Sequence, residues 1–499
     1  MRTRLLVVLA GLGAGACVSE PPGATAPRPP SLAVKTNAPS SFVVDVSRDT
    51  TAQNETPVAV NPRNSSNLLT GANDWNCNDG CAYNVSFDGG RSWSPTLPNG
   101  FIPGLTRFTN DPSVPGTGAY EAAGDPYVAF GPDGTAYFSC QAFNSTQPYE
   151  IALYVSRSTD GGLTWPDGIS ASPVQVSKWN GNGKSKGSTG QFPDHESMTV
   201  DNHPGSPYHG SVYVTWVQFN GLKGTHSPVQ VAFSRDGARS FSTPSKVTQG
   251  PIRNNQDARI AIGPDGTLYL TFDNGIQGGK GTANYVAVSR DGGASWSTPV
   301  VFALYNNPVC LFPPACFNIS GNPFRAPGSY PAPAYDATRN RLDVVYADIA
   351  ADGLARVYFT SAPAAGVSDP AQWSAPRVVA PGTGDRFGAE LSVAPGGRVD
   401  VMFDDRSYSG NALTDVTYAW STDGGATWSS TRVSTSGFDP GLAGVPNRIL
   451  FPTAIRPFIG DYNGIASLPD RAVMTWTGLG PQFGFLNDNL EIFFGSVTP

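Results

Sequence analysis

SFDGGRSW (86–93), STDGGLTW (158–165), SRDGARSF (234–241), SRDGGASW (289–296) and STDGGATW (421–428) are five copies of one eight-residue phrase. Four satisfy S-x-D-x-G-x-[ST]-W in full, and the third carries Ala238 and Phe241 where the others have Gly and Trp. From average residue usage a full match arises on the order of once per several hundred thousand positions, so four in one chain are a repeat. The phrase is turn chemistry. Ser and Asp side chains hydrogen-bond nearby backbone N–H groups, Gly accepts positive φ, and the closing aromatic packs on the sheet beneath. Turn chemistry accounts for each position, so Asp88, Asp160, Asp236, Asp291 and Asp423 are read as structural.

A second periodicity precedes each phrase. Strand–turn–strand patterns such as YVAFGPDGTAYFSC and RIAIGPDGTLYLTF carry Gly-Pro-Asp-Gly between alternating apolar runs, a hairpin signal. Taking Val60, Phe130, Val200, Ile262, Tyr335, Val393 and Ser467 as equivalent landmarks gives seven units spaced by 70, 70, 62, 73, 58 and 74 residues. The box Ser follows its landmark by 26, 28, 34, 27, 26 and 28 residues, with Ser361 standing in a unit that has lost its Asp and Gly. Each unit supplies strands A and B, then C, the box turn and D. Four antiparallel strands repeated radially predict an all-β, seven-bladed propeller over 41–499. The seventh unit ends where its box should begin, and SFVVDVS (41–47) has no unit of its own. It is expected to pair beside 490–496 and close the ring, leaving no open edge.

Composition agrees. The 499 residues include 57 Gly and 45 Pro with only 14% charged, the profile of short strands and tight turns rather than helices. A net charge of −7 gives no electrostatic footprint for nucleic acid. Residues 1–16 read as an export signal: Arg2 and Arg4, an apolar run from Leu5 to Leu12, then small residues. Cys17 follows in LGAGAC, which resembles a bacterial lipobox and implies lipidation, the alternative being an ordinary signal peptide cleaved nearby and a secreted protein; Pro/Ala-rich 17–40 then serves as a tether. The exported protein is expected to reach the membrane only through that lipid, and to be a monomer. Of the other five cysteines, Cys77 and Cys81 are four apart and Cys310 and Cys316 six apart. Two local disulfides are expected, with Cys140 unpaired.

Strand order places the starts of A and ends of B on one face and the box turns on the other. Five residues before the landmarks stand Glu55, Asp125, His195, Asp257, Tyr330, Gly388 and Tyr462, with Asp194, Glu196, Arg259, Glu390 and Asp461 beside them. At or just beyond the ends of B stand Asp74, Gln141, Gln218, Asp273, Asp348, Asp404, Asp405 and Arg406. Convergent polar groups on one rim make it the expected working face. Paired carboxylates are what glycoside hydrolysis needs, and Asp125, Glu196, Asp257, Glu390 and Asp461 are the candidates, with no pair singled out. The alternative is a non-catalytic propeller that binds glycan or protein, with Trp75 and Tyr462 as aromatic platforms. No cofactor is expected. Ca²⁺ on the acidic rim is a lesser reading, since no D-x-D-x-D-G loop is present and no metal ligand set stands out.

Through its boxes the chain resembles the sialidase-like superfamily of Asp-box (BNR) propellers over residues 41–499. NETPVAVNPRN (54–64), DHESMTVDNHPGSPYHGSVYVTW (194–216) and FIGDYNGIAS (458–467) look like exported bacterial proteins often labelled exo-sialidase. The resemblance implies a glycan substrate, three arginines on a substrate carboxylate, a Tyr nucleophile backed by Glu, and an Asp acid/base. It also implies an F/Y-R-I-P arginine and six blades, from which this chain departs: before the first box the mature chain has only Arg28, Arg48 and Arg63, none in that motif. Arg259, Arg386, Arg406 and Arg456 remain candidates for a clamp, and Tyr462 with Glu390 for a Tyr–Glu pair, because guanidinium forks suit carboxylates.

Overall fold

The computed structural model describes residues 34–35, 41–48, 52–75, 80–95, 100–107, 116–144, 150–166, 174–180, 192–220, 227–275, 282–306, 328–440, 444–445, 456–480 and 490–499. The chain is a seven-bladed β-propeller of antiparallel sheets with A innermost. Strands A to C of blades 2 to 6 are Ala122–Phe130, Ala136–Phe143 and Glu150–Ser158; Phe192–Val200, Val212–Phe219 and Val229–Ser234; Gln256–Ile262, Leu268–Asp273 and Ala283–Ser289; Ala332–Asp336, Arg341–Ile349 and Ala355–Pro363; and Arg386–Val393, Val399–Asp405 and Asp415–Ser421. Blade 1 splits strand A into Gln53–Asn54 and Val58–Asn61, both paired with Asn64–Asp74. Blade 7 comprises Gly464–Ser467, Ala472–Leu479 and Leu490–Val497. Its fourth strand is Phe42–Asp45, in register Phe42↔Ser496 to Asp45↔Phe493, so the two ends of the chain close the ring.

The apolar core is divided among the seams between blades. Leu69, Val85, Phe138 and Trp165 fill the seam of blades 1 and 2, and Val44, Val46, Leu68, Trp93 and Phe494 that of blades 7 and 1. The box aromatics belong to these seams. Trp165 meets Tyr83 edge-on at 5.6 Å, Trp93 meets Phe494 at 5.2 Å, and Trp428 meets Phe359 at 5.5 Å. Each box therefore clips its own blade to the preceding one.

Within a box the Ser hydroxyl accepts from the amide four residues on, at 2.8–2.9 Å, and donates to the Asp. The Asp in turn accepts from the backbone and hydroxyl of the Ser or Thr four residues on; for Asp160 these are 2.9 and 2.5 Å from Thr164. Ala238, which replaces Gly in the third box, is held at φ 58° by the same contacts. In blade 5 the degenerate box is two short 3-10 turns, Ala364–Gly366 and Pro370–Gln372. Trp373 nevertheless takes the place of the box Trp, stacking on Phe302 of blade 4 at 4.5 Å.

Two cysteine expectations, a Cys77–Cys81 bridge and an unpaired Cys140, are overturned. Cys81 pairs with Cys140, 59 residues away, and not with Cys77. Strand C of blade 1 lies beside blade 2, so Cys140 is brought to Cys81 across a seam, which sequence spacing does not reveal. Cys77, Cys310 and Cys316, like the signal segment and Cys17, lie outside the described residues.

Candidate functional site

The A strands of all seven blades surround a central channel of ≈ 400 Å³. Pro57, Tyr127, Ser197, Arg259, Ala332, Glu390 and Gly464, each three residues before its landmark, form one ring of its lining. The ring above it is built by a recurring distortion. Strand A slips register at Gly124/Tyr127, Asp194/Ser197, Gln256/Arg259 and Phe387/Glu390, the signature of a bulge. The residue five before the landmark is left-handed there: Glu55 (φ 60°), Asp125 (54°), His195 (54°), Asp257 (52°), Tyr330 (42°) and Gly388 (60°). Blade 7 departs, since its positive φ falls on Gly460 (100°), two residues before Tyr462.

On the side of blades 3 to 6 the centre is Arg259. Its Nε donates to Asp257 Oδ1 at 2.6 Å and its Nη1 to Glu390 Oε2. His195 Nδ1 lies 3.2 Å from the same Asp257 oxygen, and the His195 ring is held edge-on between Tyr330 (5.0 Å) and Tyr462 (5.3 Å). Asp257 Oδ2 has no hydrogen-bond partner among the described residues. Burial pushes Asp257 up to about 7, opposed by Arg259 and reinforced by Glu390. Burial also raises Glu390 while Arg259 pulls it down. One guanidinium balances one negative charge, so two buried carboxyls around it favour keeping a proton between them.

On the side of blades 7, 1, 2 and 3 the carboxyls gather without such a centre. Asn73 Nδ2 donates to Glu55 at 2.8 Å, and Asp461 N–H to the other Glu55 oxygen at 3.1 Å. Asp125 Oδ2 accepts the His195 N–H at 3.1 Å, and Asp194 accepts from Gln256 at 2.6 Å. Glu196 is fully buried, and burial with Asp125, Asp194 and Glu55 nearby holds it well above the usual carboxylic range.

Among the described side chains, the arginine clamp implied by the resemblance does not assemble. Arg386 Nε is 3.0 Å from Asp405, Arg406 is buried and donates to Asn411 O, and Arg259 is taken as above. Arg456 pairs with Val445 in a short ribbon; its side chain lies outside the described residues. The Tyr462–Glu390 pair does not form either. Tyr462 Oη donates to Pro126 O at 2.7 Å, and burial beside Glu55, Asp125 and Glu196 raises its phenol, the opposite of what a nucleophile needs. Trp75 is buried, with its Nε1 on Asn54, and offers no platform. Sequence reasoning missed Tyr127 and Asn463, which line the channel beside Arg259 and Glu390. For Tyr127 the signal was present: it stands three residues before its landmark, as Arg259 and Glu390 do.

No protein-family model and no curated protein matches the chain. Among solved structures it is similar to a protein of unknown function from Dyadobacter fermentans, at 12% identity and a TM-score of 0.49, over 94% of this chain and 99% of that one. It is also similar to a Hadza microbial sialidase, at 13% identity and 0.47, over 90% of this chain and 66% of that one. A leech intramolecular trans-sialidase complexed with 2,7-anhydro-Neu5Ac aligns at 13% and 0.47, over 75% and 69%.

Proposed function

We propose that this chain is an exported, lipid-anchored propeller that hydrolyses a glycosidic bond at the strand-A rim. One observation carries the reading: Asp257 and Glu390 flank the single guanidinium of Arg259 on the channel lining, and Asp257, buried behind it, is held at about 7. Glycosidic cleavage needs one carboxyl that donates a proton and a second that acts as base or nucleophile. Asp257 is the donor in this reading. Glu390, which lines the channel, is the base or nucleophile, and Arg259 keeps the pair at one shared proton. Tyr127, half-buried on the channel lining, supplies a ring face for the sugar. An oxidising location is supported by the Cys81–Cys140 disulfide, and Cys17 supplies the anchor. An anionic sugar fits poorly, because Arg259 and Arg386 already face carboxylates of the protein.

The test is a panel of chromogenic glycosides, neutral, amino and sialic, run against the wild type, Asp257→Asn and Glu390→Gln. Turnover of a neutral or amino glycoside is expected, cut by roughly 10²–10⁴ in either variant with folding retained. Activity should fall as pH rises through about 7, because the donor must be protonated. Saturable sugar binding without turnover would replace hydrolysis by the non-catalytic reading.

A further inference from the structure

The acidic half of the rim asks for something the Arg259 half does not. Glu196 is fully buried in the bulge of blade 3, and neither of its carboxyl oxygens has a hydrogen-bond partner among the described residues. The charges that act on it most strongly are Asp125, Asp194 and Glu55, all negative. A buried carboxyl in that field avoids ionisation by keeping its proton, or it meets a cation. Asp125 and Asp194 are only half-buried, both act on Glu196, and Asp125 Oδ2 sits on the N–H of His195, the residue next to it.

We propose that this cluster is a subsite for a cationic sugar, a hexosamine glycoside with a free amino group, its ammonium seated on Asp125 and Asp194 in front of Glu196; the inference rests on the glycan reading above. An ammonium brings three donors and a positive charge to oxygens that can accept charge-assisted bonds. An acetamide brings one donor and no charge, and a sialic acid carboxylate adds a like charge. The arriving cation favours ionised Glu196, so its carboxyl O–H proton passes to solvent as the ammonium–carboxylate pair forms, and charge is conserved. The titratable groups around Glu196 are Asp194 and His195 on its own strand, Asp125 from blade 2, Glu55 from blade 1 and Tyr462 from blade 7. Tyr462 stays neutral, and His195 is engaged with Asp257.

Calorimetry on the full chain at pH 6 and low salt, in two buffers of different ionisation heat, tests this. The probes are methyl glucosaminide and galactosaminide, their N-acetyl forms, the parent methyl glycosides, and sialyllactose. The free amines should bind roughly tenfold or more tighter than the N-acetyl forms, with sialyllactose weakest and the advantage shrinking with salt. Amine binding should release up to about one proton, and Glu196→Gln should abolish that release while the amine still binds. If that variant does not fold, the two-buffer comparison on the wild type decides alone. Equal affinity for amine and acetamide, or amine binding without proton release, overturns the inference and leaves the glycan reading standing. Absence of binding by every sugar in the panel overturns both.

Discussion

Removing the N-terminal strand should unfold the ring rather than trim a tail. Val43, Val44 and Val46 are buried, Phe42 packs against Phe494 at 6.0 Å, and Ser47 donates to the fully buried Glu491 at 2.5 Å. Three buried valines and a half-buried Phe amount to roughly 6–10 kcal/mol at about 1.5–3 kcal/mol for each fully buried side chain. Withdrawing the Ser47 hydroxyl from Glu491 adds about 1–3 kcal/mol. That sum is comparable to the ~5–15 kcal/mol that stabilises a whole domain. The assay compares thermal and urea melts of a chain lacking 17–33, which keeps Val34–Lys35 paired with Phe42 and Val43, with one lacking 17–47. The first should melt like the full mature chain. The second should be unfolded or lack a cooperative transition, and Val44→Ala should cost about 2 kcal/mol within the intact chain. If the longer deletion melts within about 2 °C of the shorter, the closing strand does not hold the ring and the reasoning is wrong.

Asp160→Ala removes the acceptor for two hydroxyls and an amide at one box, and should lower stability by about 1–2 kcal/mol in urea titration while the folded fraction keeps any sugar activity. Stability should peak in mild acid. Asp257, Asp273 and Asp343 are raised to about 7 in the fold, so the native state holds extra protons between the unfolded value near 4 and 7, and melting temperature should rise as pH drops from 8 to 5. The box carboxylates are depressed, Asp236 to about 2, so their contribution is present above ~4 and fades as pH falls through their folded values; a melt-versus-pH curve flat from 8 to 5 would contradict this. Cys140→Ala should cost about 4 kcal/mol by the loop-entropy relation for a 59-residue separation, read as a lower urea midpoint, whereas Cys77→Ala should leave the Cys81–Cys140 bond in place by peptide mapping.

The blade count, the closure and the box turns were legible because each is written as a repeat, and a repeat declares its own alignment. The same alignment placed Glu55, Asp125, His195, Asp257, Tyr330 and Gly388 at one backbone position, and all six have positive φ. It failed by two residues in blade 7, where Gly460 rather than Tyr462 takes the left-handed conformation. Partnership was illegible for a physical reason: it is decided across seams and between blades that are not neighbours. Cys81 finds Cys140 from the next blade, Tyr462 finds the Pro126 carbonyl 336 residues away, and Arg259 finds Glu390 131 residues on. Nothing local in the chain encodes those distances.

The left-handed ring also explains why position alone could not rank the carboxylates. The backbone geometry suits glycine, as Gly388 shows, and a bulkier residue there costs on the order of 1 kcal/mol or more. Two of the five non-glycine cases repay that cost structurally. Asp125 accepts the backbone N–H of His195 in the next blade, and Glu55 accepts that of Asp461 across the closing seam. In blade 4 the task has moved to Asp273 at the end of strand B, which takes the Tyr330 N–H at 3.4 Å. Asp257 is thereby spared from holding the next blade's backbone, and its contact with a neighbouring blade is to the His195 side chain. One of its oxygens is shared by Arg259 and His195, and the other has no partner among the described residues. A strained, fully buried carboxyl that accepts no backbone N–H from a neighbouring blade among the described residues, beside a guanidinium shared with a channel-facing Glu390, is poorly explained by stability alone. Chemistry at the rim is the reading that gives its strain a purpose, and the residues that tie the blades are what keep it in place.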